Sequence, residues 1–173
     1  MKNNKIGVYY YKTNKICNMI EIFNELITFR EVPWEISYTF FCKCTKTLKC
    51  KGCSWADKAE PEYRFLEYDY LKEVLKKYSG KCTCITFLSE GGSLDDLNNV
   101  LKICKNYGYK TCLYTGYDDI SKFSDTLKYL DYIKFGSFKE ELGGLYSPKT
   151  NQEFWVVCEG KLKERIFNYE LWS

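Results

Sequence analysis

The strongest constraint on the fold is an alternation of helical and strand patterns that begins near residue 66. Tyr68, Leu71, Leu75 and Tyr78 recur at helical spacing, and Ser79-Gly80 closes that segment. Cys82 to Leu88 (CTCITFL) is a continuous β-prone run of the kind buried on both faces of a sheet. Ser93 then opens a second helix with Asp96 three residues on, and Leu97, Val100, Leu101 and Cys104 form its apolar stripe up to Gly108. Lys110 to Tyr114 reads as a strand, Asp118 to Leu130 as an amphipathic helix, and Asp131 to Phe135 as a strand. Strands joined by crossover helices pair in parallel, so this order predicts a right-handed α/β sheet with flanking helices.

Upstream, Lys5 to Tyr11 (KIGVYYY) and Glu35 to Phe40 (EISYTF) have strand character, while Ile20, Phe23 and Ile27 suggest a short helix within Cys17 to Ile27. Downstream, Glu153 to Cys158 and Lys161 to Phe167 read as further strands in a hairpin across Gly160. No repeat, low-complexity tract or linker divides the 173 residues, so a single domain over 1–173 is expected. Ligands in parallel α/β sheets bind beyond the carboxyl ends of the strands. The loops there would be Cys42 to Pro61, Ser89 to Ser93, Thr115 to Asp118 and Gly136 to Thr150, which puts the first two on one rim.

The first of those loops opens within FFCKCTKTLKCKGCSW, residues 40–55. Cys44, Cys50 and Cys53 stand as C-x5-C-x2-C, close enough for thiolates to converge on one soft metal centre. Lys43, Lys46, Lys49 and Lys51 offset anionic charge there, and Gly52 eases the turn before Cys53. Adding Cys42 makes four thiolates, the ligand count of a structural zinc site. That is the alternative reading: a non-enzymatic four-cysteine zinc module that organises a protein-binding surface. A redox C-x-x-C at CKGC lacks the usual strand-to-helix setting. Cys82, Cys84, Cys104, Cys112 and Cys158 fall inside predicted strands and helices and read as small core residues.

Composition removes several classes. The chain has no histidine, which excludes His-based triads, His general bases and mixed Cys/His zinc sites. A net charge of +3, with lysines and acids interspersed, gives no nucleic-acid stripe and no polybasic membrane arm. Met1 to Lys15 has no apolar core of a signal peptide, and no run approaches a membrane span. A cytoplasmic location with reduced thiols is expected.

A strand feeding a three-cysteine loop, followed by a Gly-Gly loop after the next strand, resembles the radical S-adenosylmethionine (SAM) enzymes. More narrowly, the chain is similar to the activating proteins of anaerobic ribonucleoside-triphosphate reductase. The similar stretches are EVPWEISYTFFCKC (31–44), CKGCSW (50–55), ITFLSEGGSLDDL (85–97), KTCLYTG (110–116) and YIKFGSFKEELGGLYSPKTNQEFW (132–155). Two departures stand out. The family spaces its cysteines C-x3-C-x2-C, whereas here the first ligand is Cys44, by the smaller insertion, or Cys42. The family order Gly-Gly-Glu is replaced by Glu90-Gly91-Gly92.

The resemblance implies an incomplete (βα) barrel and a 4Fe-4S cluster on Cys44, Cys50 and Cys53. It implies an iron left open for the amino and carboxylate groups of SAM, with an external one-electron reductant driving cleavage. The resulting 5′-deoxyadenosyl radical would take a hydrogen from a glycine of the reductase large subunit. The expected SAM contacts are Gly91 and Gly92 toward the methionine amino group, with Glu90 beside them, Thr115 toward ribose or carboxylate, and Lys134 toward the carboxylate. The bland alternatives are an exposed loop acid for Glu90, packing for Trp55 and a plain turn for Gly143-Gly144. The segment from Phe138 to Thr150 is a candidate partner surface.

Overall fold

The computed structural model describes residues 19–44 and 62–166. The expected strand Lys5 to Tyr11, Cys50, Cys53 and Trp55 lie outside the described residues. The described chain forms one eight-stranded sheet with two α-helices. The strands are β1 (Glu21–Thr28), β2 (Ser37–Cys42), β3 (Arg64–Phe65), β4 (Cys84–Leu88), β5 (Lys110–Tyr114), β6 (Tyr132–Phe135), β7 (Glu153–Cys158) and β8 (Lys161–Ile166). Helix α1 spans Tyr68–Lys77 and α2 spans Leu94–Asn106. Across the sheet the order is β3-β1-β2-β4-β5-β6-β7-β8.

This corrects the expected incomplete (βα) barrel with a mostly parallel sheet and flanking helices. The sheet is mixed: β2, β4, β5 and β6 run parallel, but β1, β3, β7 and β8 all join antiparallel. The physical reason lies in the connections. Helices α1 and α2 carry the chain from one parallel strand to the next. Between β6 and β7, by contrast, residues 136–152 contain no helix among the described residues, so the chain returns alongside β6 in the opposite direction. The turns at 29–36 and at Glu159-Gly160 likewise make hairpins.

Two local expectations also fail. The segment expected to hold a short helix is β1, whose pairing of Ile27 with Tyr38 and Thr28 with Ser37 overrides a sparse helical pattern. Asp118 to Leu130 forms two short 3-10 turns, Ile120–Phe123 and Leu127–Tyr129, in place of an α-helix. Asp118, Asp119, Ser121, Ser124, Asp125 and Thr126 crowd this stretch with side chains that compete for backbone groups. Asp119 does so directly, accepting from the Ser121 N–H at 2.9 Å. Phe123 and Leu127 still reach the core.

Both α-helices pack on one face of the sheet. Leu71, Leu75, Leu97, Val100, Leu101 and Cys104 meet Phe40, Ile85, Phe87, Leu113 and Ile133 there. Phe40 and Phe87 stack with ring centres 5.4 Å apart, and each buried ring is worth about 1.5–3 kcal/mol of transfer free energy. Ser93 caps α2 as expected, accepting from the Asp96 N–H at 3.2 Å while its hydroxyl donates to the Asp96 carboxylate. The other face carries Val32, Cys84, Cys112, Tyr132, Phe154 and Ile166, with no helical residue in that cluster. Because side chains alternate along β6, Lys134 shares this second face with Tyr132. No helix among the described residues is long and apolar enough to cross a membrane.

Candidate functional site

The four parallel strands align at Phe41, Leu88, Tyr114 and Lys134 and end within one residue of that row, and the loops leaving them start from one rim. Cys42 is the last residue of β2 and is 2 % exposed; its thiol lies in the core and contacts the Phe40 carbonyl at 3.6 Å. Burial, then the negative charge of Glu90, then Cys44, push the Cys42 thiol well above its ordinary value. Cys44, two residues on, is exposed at the start of the cysteine loop. The two cysteines therefore occupy opposite environments, and Cys44 is the one presented to the loop.

The glycine loop after β4 is knitted to that point by backbone bonds. The Gly91 N–H donates to the Lys43 carbonyl (3.2 Å), the Lys43 N–H donates to the Glu21 carbonyl (2.9 Å), and the Glu21 N–H donates to the Gly91 carbonyl (2.8 Å). Gly91 has φ +70°, and a Cβ there would stand 2.9 Å from Ile20 Cβ and 3.3 Å from Cys42 Cβ. Only glycine fits this left-handed, close-packed position. Both main-chain polar groups of Gly91 are thus used, one by Lys43 just after β2 and the other by Glu21 of β1. At Gly92 a Cβ would stand 3.7 Å from Ile20 Cα and the Met19 carbonyl oxygen, an ordinary van der Waals contact, so this glycine is not required by crowding.

Glu90 is 1 % exposed, so it is no exposed loop acid. Ser89 before it has φ +85°, an uncommon value for a residue with a side chain, and Gly91 after it is also left-handed. These kinks surround a carboxylate that is turned inward. Its Oε2 accepts from the Ser89 hydroxyl at 3.0 Å, and its Oε1 accepts from the Thr115 hydroxyl. Among the described residues no ion pair joins Glu90 to a cation. Thr115 is buried at the end of β5, and its hydroxyl also accepts from the Tyr117 N–H at 3.3 Å.

Lys134 is buried on the neighbouring strand. Its ammonium donates to the Gly136 carbonyl at 2.8 Å and to the Thr115 carbonyl at 3.5 Å. Thr115 therefore stands between a buried carboxylate and a buried ammonium, tied to one by its side chain and to the other by its main chain. Glu90, Gly91, Thr115 and Lys134 come together with the Lys43–Cys44 end of the cysteine loop. Cys50 and Cys53 lie outside the described residues, and among the described residues no group of three or more His, Cys, Asp or Glu side chains is placed to hold a metal ion.

Sequence reasoning did not single out Ser89, Gly136 or Gln152. The signal for Gly136 is a glycine directly after a β-prone run, and Gln152 stands within the TNQ stretch, but neither announces its bonding partner. Of the cysteines expected in the core, Cys82, Cys84, Cys104 and Cys112 are buried, whereas Cys158 at the β7–β8 turn is exposed.

No family model, curated protein or solved structure matches this chain.

Proposed function

We propose that the chain is a radical SAM activating enzyme of the cytoplasm. It cleaves SAM reductively with an electron from an external donor and installs a glycyl radical on the large subunit of an anaerobic ribonucleoside-triphosphate reductase. One observation carries the reading: the carboxyl ends of the parallel strands bring Cys44, Glu90, Thr115 and Lys134 to one rim, with the buried carboxylate and ammonium held on either side of Thr115. Separated charges of opposite sign suit the ammonium and carboxylate of an α-amino acid, the group that SAM carries at one end.

The donor set fits a 4Fe-4S cluster by its chemistry: thiols only, no histidine, and a first thiol exposed where the loop leaves the rim. Cys44, Cys50 and Cys53 would hold it. When bound, the cluster supplies the electron that breaks the sulfonium bond of SAM. The protein's own residues hold the rest. Glu90 accepts from the methionine amino group, Lys134 faces the carboxylate, and Thr115 keeps the two apart. A four-cysteine zinc site is less well supported, because the Cys42 thiol is packed in the core.

The test is methionine release from SAM by anaerobically reconstituted, reduced protein. Release is expected in the wild type and is expected to vanish in Cys50→Ala and Cys53→Ala. Release at the wild-type rate by either variant, with normal iron content, contradicts the assignment.

A further inference from the structure

Residues 136–152 leave the rim after β6 and come back to start β7. Both ends of this excursion meet at Gly136. The Gly136 N–H donates to the Tyr117 carbonyl at 2.8 Å, which ties it to the loop after β5. Its carbonyl accepts from Lys134 Nζ at 2.8 Å and from Gln152 Nε2 at 3.4 Å. Next to it, the Ser137 carbonyl accepts from Asn151 Nδ2 at 2.9 Å. The fit is close: Gly136 has φ +102°, and a Cβ there would stand 2.9 Å from the Asn151 carbonyl oxygen and 3.0 Å from Gln152 Cα. The peptide after Gly136 is therefore held by residues 151–152 on one side and by the Lys134 ammonium on the other.

This matters for where the charge of Lys134 sits. A lysine side chain has four rotatable bonds and no fixed direction of its own, so its ammonium goes where its acceptors are. Of the Gly136 and Thr115 carbonyls, the nearer is the one that Gln152 also holds. Gln152 is 6 % exposed, and a buried amide is retained only where it is hydrogen-bonded. From it a continuous path runs through the Gly136 carbonyl, Lys134 Nζ, the Thr115 main chain and the Thr115 hydroxyl to Glu90.

We infer that Gln152 is a positioning residue for the amino-acid end of SAM: by fixing the Gly136 carbonyl it fixes the Lys134 ammonium, without itself touching the ligand. The inference rests on the radical SAM reading of the rim. It assigns Gln152 a part in binding at a distance from both charges that meet SAM.

The experiment is equilibrium binding of SAM to the reconstituted full chain, as wild type, Gln152→Leu, Lys134→Met and the double variant, with thermal midpoints measured alongside. Gln152→Leu is expected to weaken binding about 10-fold, the size usual for a residue that orients a ligand-binding group. Lys134→Met is expected to weaken it at least as much. In the Lys134→Met background Gln152→Leu should add less than about 2-fold, since residues acting through one group are not additive. Wild-type affinity in Gln152→Leu overturns the inference, and so does a full additional loss in the double variant, whatever the thermal midpoints do. If Gln152→Leu does not accumulate as folded protein, Gln152→Met keeps the unbranched shape without the donor and is judged by the same criteria. A wild type that carries its cluster and does not bind SAM overturns the functional reading itself, a result distinct from either of these.

Discussion

The two ends of the parallel strands carry the same kinds of residue arranged in different ways. At the amino end, Glu35 before β2 meets Lys110 of β5 at 2.5 Å and the Tyr132 hydroxyl of β6 at 2.7 Å. Beside them Asp131 takes both the Lys105 ammonium and the Thr111 N–H at 2.8 Å. Glu35 and Lys110, and Asp131 and Lys105, are each other's direct counter-charges. Burial pushes the Glu35 carboxyl up, but the bonds from Lys110, Thr83 and Tyr132 outweigh it and hold the group below its ordinary value. Burial, with the bond to Glu35 next, pushes the Tyr132 phenol up to about 12.

At the carboxyl end the carboxylate of Glu90 receives hydroxyls, and the ammonium of Lys134 bonds main-chain carbonyls, with Thr115 between. The first arrangement is self-sufficient and fastens strands together. The second holds two buried charges on either side of Thr115, the arrangement at which the amino-acid end of SAM is proposed to bind. Similar composition thus gives a structural clasp at one end and a candidate binding rim at the other.

The contrast breaks most readily at the cysteines. Cys44→Ala should reduce SAM cleavage to background, while Cys42→Ala should keep it and lower stability by roughly 1–2 kcal/mol as a core truncation. Iron content, cleavage and denaturant unfolding on both variants check this. Glu90→Gln comes next. It should weaken SAM binding about 10- to 100-fold, the range of one lost charged hydrogen bond, with little change in unfolding midpoint. Glu35→Gln should do the reverse, leaving SAM binding unchanged and costing about 1–2 kcal/mol, a figure kept low because Lys110 is half exposed.

The same pair predicts a pH dependence. Glu35 has a lowered value in the folded state, so its contribution is present above the ordinary glutamate value of 4.5 and is lost as pH falls through the lower folded value. The stability gap between wild type and Glu35→Gln should therefore narrow as pH drops below about 4.5. A gap that stays constant down the acid limb contradicts the clasp. The smallest effect is local: Ser93→Ala removes the α2 cap and should cost about 1 kcal/mol, with both ends of the sheet unaffected.

How much of this was legible in the sequence depends on the range of the forces involved. β4, β5 and β6 announce themselves as short apolar runs, and Ser93 announces α2 through its own side chain, because those signals are local. β1 does not, since Asn24 and Glu25 interrupt its apolar residues and its identity comes from pairing with β2. The directions of β7 and β8 depend on whether residues 136–152 form a crossover helix, and nothing in that stretch has helical period. At the rim, the closeness of Lys43 to the Gly-Gly loop follows from the rule for parallel strands. The inward turn of Glu90 does not, because it depends on a left-handed Ser89, which a serine seldom adopts. The bond from Gln152 to Gly136 depends on the antiparallel return of β7 beside β6, which no local pattern announces.

The measurement that bears most directly on the central claim is anaerobic reconstitution with iron and sulfide, dithionite reduction, and electron paramagnetic resonance with and without SAM. The account predicts a reduced four-iron signal that changes when SAM is added. A chain that takes up no cluster and instead binds one zinc ion tightly would contradict it, and the separated charges of Glu90 and Lys134 would then need another ligand.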